Sequence, residues 1–85
     1  MAETASDRLK RLRMRSMRRG IKEMDILLSA FADARLAGMS PGDLDTYDAL
    51  LHENDQDLYQ WVTGQITAPD RFREMIAQIS QTFDK

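Results

Sequence analysis

The sequence predicts an all-α domain, a compact bundle of about five helices, and three observations carry that expectation. Apolar residues recur at three- and four-residue steps along most of the chain, the spacing that gathers side chains on one helix face. No segment keeps the strict alternation of a half-buried strand, and β-branched residues are few. The punctuation, four glycines and two prolines, falls where helices start and stop.

Leu9, Leu12, Met14 and Met17 form a narrow stripe flanked by arginines, which predicts a short helix over 8–17. Gly20 interrupts. Ile21, Met24, Leu27, Leu28, Phe31, Ala32 and Leu36 then give a long apolar seam, stopped by Gly38. Ser40 followed by Pro41 opens a third helix, because a serine oxygen caps free amides and proline is tolerated in the first turn. Its buried face is Leu44, Tyr47, Leu50 and Leu51. Asn54 caps a short fourth helix, with Asp55 and Asp57 favouring its positive end and Leu58, Trp61 and Val62 facing inward, up to about Gly64. Thr67, Ala68, Pro69 and Asp70 open the last helix, whose seam is Phe72, Met75, Ile76, Ile79 and Phe83.

A chain of 85 residues forms one domain over 1–85, because so short a chain cannot divide its apolar surface between two cores. Residues 1–6 are expected to be a flexible N-terminus. With 42% hydrophobic and 31% charged residues the composition is globular. There is no cysteine, which excludes disulfides and thiolate metal sites. No apolar run approaches the roughly 20 residues needed to cross a bilayer, so no membrane insertion is expected. The Arg-rich start carries Glu3 and Asp7 and little chain precedes the first amphipathic pattern, so the reading is a bacterial cytoplasmic protein rather than one with a presequence.

Reactive chemistry is sparse. Nucleophilic catalysis needs a nucleophile beside a base, yet His52 is the only histidine, and its place near a helix end suits a solvated or capping role. Asp43, Asp45, Asp48, Asp55 and Asp57 do not form the twelve-residue calcium loop, and aspartate is common at helix starts. The glycines form no phosphate-cradling run. Met24 and Met75 lie in helical seams and read as core. The chain is therefore expected to act by binding and not as an enzyme.

Charge is unevenly spread. Residues 1–23 hold eight basic side chains against three acidic ones, or +5, and the remaining 62 residues hold four against eleven, or −7. The basic start allows an alternative reading as a small nucleic-acid-binding regulator. No aromatic residue is interleaved to stack bases, and the acidic remainder repels a polyanion. Arg18, Arg19, Gly20 and Glu23 stand at the junction of the basic and the long apolar helix. Glycine there permits a turn or a close approach, and Arg19 and Glu23, four apart, read either as a paired docking element or as an ordinary exposed salt bridge.

Arg19, Gly20, Ile21, Lys22 and Glu23 match the Arg-Gly-x-x-Glu signature of the SdhE family of flavin assembly factors, and the match continues from Met24 to Leu28 and through Phe31, Ala32 and Asp33. Leu50 and Leu51, then Asp57, Leu58, Tyr59 and Trp61, resemble the family's Leu-Leu and Asp-Leu-aromatic-x-Trp pattern, so that the resemblance spans roughly residues 8 to 80. Met14 and Met17 stand where relatives often carry an aromatic residue, and Gln56 replaces a frequent proline. The resemblance implies a five-helix protein that binds the flavoprotein subunit of succinate dehydrogenase, with that of fumarate reductase as a further client, and promotes covalent attachment of FAD. The bond-forming groups and the FAD would belong to the partner, and no nucleotide-binding pattern supports a flavin site here. The expected partner-binding residues are Arg18, Arg19, Gly20, Glu23 and Asp25, on a chain expected to be monomeric when free. On this view Arg19→Ala and Glu23→Ala are surface changes of little consequence for stability.

Overall fold

A computed structural model describes residues 3–83, with the side chain of Phe83 outside the described part. Five α-helices follow in order: α1 (Ala5–Met17), α2 (Lys22–Arg35), α3 (Pro41–Leu50), α4 (Asp55–Val62) and α5 (Asp70–Phe83), with a 3-10 turn, Leu36–Gly38, closing α2. No strand occurs among the described residues. The radius of gyration, 12.2 Å, is close to the roughly 12 Å of a compact chain of this length.

The helix starts follow local chemistry. Thr4 accepts a hydrogen bond from the Asp7 amide, so α1 begins at Ala5, inside the segment expected to be flexible, of which residues 1–2 lie outside the described residues. Ser40 accepts from the Asp43 amide with Pro41 in the first turn, and Asn54 accepts from the Gln56 amide. Gly64, with φ of 81°, follows α4 in the left-handed region that glycine tolerates best. Helix α2 has no side-chain cap: its flanking residue is Ile21.

The core is a single cluster. It combines Leu12 of α1 with Met24, Leu28, Phe31 and Leu36 of the α2 region, Tyr47, Leu50 and Leu51 of α3 and its end, Leu58 of α4, and Phe72, Met75, Ile76 and Ile79 of α5. The seam of α2 is as expected, and so is that of α5 through Ile79, the Phe83 side chain lying outside the described residues; Met24 and Met75 are core. Helix α1 differs: Met14 and Met17 are exposed while Ser16 is fully buried. Positions 9, 12 and 16 share a face at three- and four-residue steps, and Met14, two residues from Leu12, lies across the helix from it.

Burying a serine is possible because it is saturated. The Ser16 hydroxyl donates to the Leu12 carbonyl at 2.8 Å, which leaves its oxygen to accept from the buried Tyr47 hydroxyl at 2.6 Å. Burial pushes the Tyr47 phenol up to about 12, with the Ser16 hydrogen bond opposing the shift. Removing the serine strands a buried hydroxyl, whereas removing the phenol oxygen leaves Ser16 bonded to Leu12. Ser16→Ala is therefore expected to cost about 1–3 kcal/mol and Tyr47→Phe about 1 kcal/mol, with the double variant less destabilised than the sum, measured by urea unfolding. In the unfolded chain Tyr47 ionises near 10, so between pH 10 and about 12 the unfolded state holds fewer protons than the folded one. Stability should fall with rising pH across that window, and less steeply in Tyr47→Phe.

Candidate functional site

The arginines of α1 are not a free basic face. Arg8, Arg11 and Arg15 lie three and four residues apart on one side of the helix, and each meets the residue 37 positions later: Arg8 pairs with Asp45, Arg11 with Asp48, and Arg15 with His52. Arg11 is forked onto Asp48 through Nη1 at 3.1 Å and Nη2 at 2.8 Å, and also binds Glu3. The Arg11 hydrogen bond is the chief cause holding the Asp48 carboxyl below its usual range, and the same fork pushes the Arg11 guanidinium up. A guanidinium only donates, so His52 Nε2 accepts from Arg15 at 3.1 Å, and the ring proton sits on Nδ1, which donates to the Asp48 carbonyl at 2.8 Å. Arg13 pairs with Asp33 of α2. The basic excess that motivated the nucleic-acid reading is thus largely neutralised within the molecule.

The row ends in the segment that joins α1 to α2. Arg19 is outside both helices, and its side chain is only 8% exposed. Its Nε donates to Asp55 Oδ1 at 2.8 Å and its Nη2 reaches the same oxygen at 2.7 Å. Nη1 donates to the carbonyls of Arg15 at 3.3 Å and Leu51 at 3.1 Å, and Nη2 to that of Glu53 at 3.4 Å. One guanidinium therefore satisfies free carbonyls at the C-terminal ends of α1 and α3, where a cation is favoured, and binds the acid in the first turn of α4. The other oxygen of that acid, Asp55 Oδ2, accepts from the Gly20 amide at 2.5 Å.

This corrects two expectations. Arg19 pairs with Asp55 and not with Glu23: α2 begins at Lys22, so the two residues never share a helix and their four-residue spacing brings nothing together. Nor is Arg19 a surface residue. Gly20 is exposed and its φ is not positive, since Gly64 alone has that geometry among the described residues. What glycine supplies at position 20 is room, because an added Cβ would stand 3.2 Å from Asp55 Oδ2. Arg18 and Glu23 are exposed, and Glu23 has no ion-pair partner among the described residues. Asp25 is half-buried and accepts from Ser29 Oγ at 3.3 Å. The site residue that sequence reasoning missed is Asp55: read only as a helix-start acid, it has no local signal of a partner 36 residues away.

Among the described residues no group of three or more His, Asp or Glu side chains is placed to hold a metal, and no helix is long and apolar enough to cross a membrane. Arg19→Ala strands the Asp55 carboxylate and several carbonyls in a water-poor junction, so we expect a loss of about 3–5 kcal/mol. Asp55→Ala should fall in the same range, and Glu23→Ala should stay within about 0.5 kcal/mol of the unaltered chain, all by urea unfolding.

Comparison with known proteins gives a consistent result. The Sdh5 family model, described as the flavinator of succinate dehydrogenase, matches residues 10–83. Three fungal proteins, each named succinate dehydrogenase assembly factor 2, mitochondrial, are similar to the chain. That of Meyerozyma guilliermondii is 43% identical over 75 residues, covering 85% of this chain and 56% of the relative. That of Kluyveromyces lactis is 40% identical over 87 residues, covering 98% and 53%, and that of Debaryomyces hansenii is 48% identical over 66 residues, covering 74% and 46%. The chain spans about half the length of these relatives. The family match runs from α1 through Arg19, Gly20 and Asp55 into α5, and the chain belongs to the Sdh5 family.

Proposed function

We propose that this chain is an assembly factor that binds the flavoprotein subunit of succinate dehydrogenase and promotes covalent attachment of FAD to it, with the flavoprotein of fumarate reductase as a further client. The family match supports the class of role. The observation that carries the mode of action is the Arg19–Asp55–Gly20 junction, which fixes the α1–α2 segment while leaving Arg18, Gly20 and Glu23 exposed. Arg19 is then a positioning residue, and Gly20, Glu23 and their neighbours Arg18 and Asp25 form the contact surface.

Binding is the whole of the contribution on this reading. The reacting groups and the flavin belong to the partner. A helper that holds the flavin and the attachment residue in reacting geometry lowers the barrier by several kcal/mol without supplying a proton or a nucleophile. The role requires only the compartment in which the flavoprotein folds, which for the relatives is the mitochondrion by their names.

Two measurements test the reading. Covalent flavin fluorescence of the flavoprotein subunit should be strongly reduced in cells lacking this protein; labelling that persists unchanged under several growth conditions overturns the role. Gly20→Ala should leave Tm within a few degrees while binding to the flavoprotein falls sharply, because a methyl group 3.2 Å from Asp55 Oδ2 asks only a small shift of that carboxylate but adds bulk at an exposed contact position. A large loss of Tm with unchanged affinity would assign the glycine to folding alone.

A further inference from the structure

Beside the α1–α2 segment, helices α2, α4 and α5 leave an open groove of about 610 Å³. Glu23, Ile26 and Leu27 of α2 form one wall, and Tyr59 and Val62 of α4 face them. Ile26 is 57% exposed and the other three apolar side chains are half-buried. Ile26 is the most exposed large apolar side chain among the described residues, and unlike a singly exposed one it adjoins three further apolar side chains in one groove. Glu23 supplies the only charge in the lining, and no cation among the described residues answers it.

We infer that this groove receives a segment of the flavoprotein that presents an apolar side chain next to a lysine or arginine, the apolar group lying against Ile26, Leu27 and Val62 and the cation meeting Glu23. The inference rests on the proposed role and adds to it the second half of the contact surface. The charge of the groove selects this occupant over two others. A dinucleotide such as FAD carries a diphosphate and needs cations or a cluster of amides, whereas the groove offers a carboxylate. A second copy of this chain packed groove to groove about a twofold axis would confine two Glu23 carboxylates within one small contact, far short of the roughly 800 Å² per partner of a stable interface. A cationic apolar segment satisfies both features, and the unpaired Glu23 is relieved rather than buried alone.

The test uses the full chain and the purified flavoprotein subunit, with affinity read by titration calorimetry. Ile26→Asp places a charge on an exposed apolar position, so Tm should hold within a few degrees while binding weakens more than tenfold. Glu23→Gln should weaken binding several-fold and flatten its dependence on salt, because a charge pair is lost. Binding of the unaltered chain with Ile26→Asp and Glu23→Gln both within twofold of it overturns the groove and leaves the assembly role standing. Absence of binding by the unaltered chain overturns both. Sedimentation showing a dimer that Ile26→Asp dissolves overturns the inference in favour of self-association.

Discussion

The structure turns on one buried cation. Arg19 belongs to no helix, yet its guanidinium touches carbonyls at the ends of α1 and α3 and the acid in the first turn of α4. C-terminal helix ends leave carbonyls without partners, and bringing two of them beside the Asp55 carboxylate concentrates negative charge that water screens poorly. A planar, permanently charged group with five donors answers that arrangement in a way that a lysine ammonium cannot. Without it the junction of α1, α3 and α4 holds several carbonyls and a carboxylate whose remaining partner is the Gly20 amide.

The same logic runs down α1. Arg8, Arg11 and Arg15 meet Asp45, Asp48 and His52 in constant register, and with Arg13–Asp33 and Arg19–Asp55 four of these contacts pair a basic side chain of the first quarter with an acid of the remainder. Individually the outer pairs contribute little, since Asp45 is 73% exposed and water screens it. Collectively they set the register of α1 against α3, and beyond Arg15 the row is closed by Arg19, whose side chain is only 8% exposed. Charge that looks like an electrostatic footprint for a polyanion therefore works as internal complementarity.

Rigidity at the junction and exposure beside it are complementary. The Gly20 amide is held by the acid that also binds Arg19, so the start of α2 is fixed although no side chain caps it. Glu23 and Ile26 follow on that helix and line the groove shared with α4 and α5. A surface set on ordered elements loses little freedom when it binds, which favours recognition by a small domain with few contacts available.

The sequence by itself determined the five helices, because their signals are local: Ser40 and Asn54 cap within three residues, Pro41 sits in a first turn, and the seams of α2 and α5 repeat every three or four positions. It also singled out the stretch from Arg18 to Glu23 as the expected contact surface. Tertiary structure alone decided what those residues do. Arg19 is spaced for Glu23 but meets Asp55, Ser16 is buried because Tyr47 arrives from α3, and the groove exists only where α2, α4 and α5 converge. Those relations join residues some 30 to 40 positions apart, and helix periodicity carries no information over that distance; the packing of the helices supplies it.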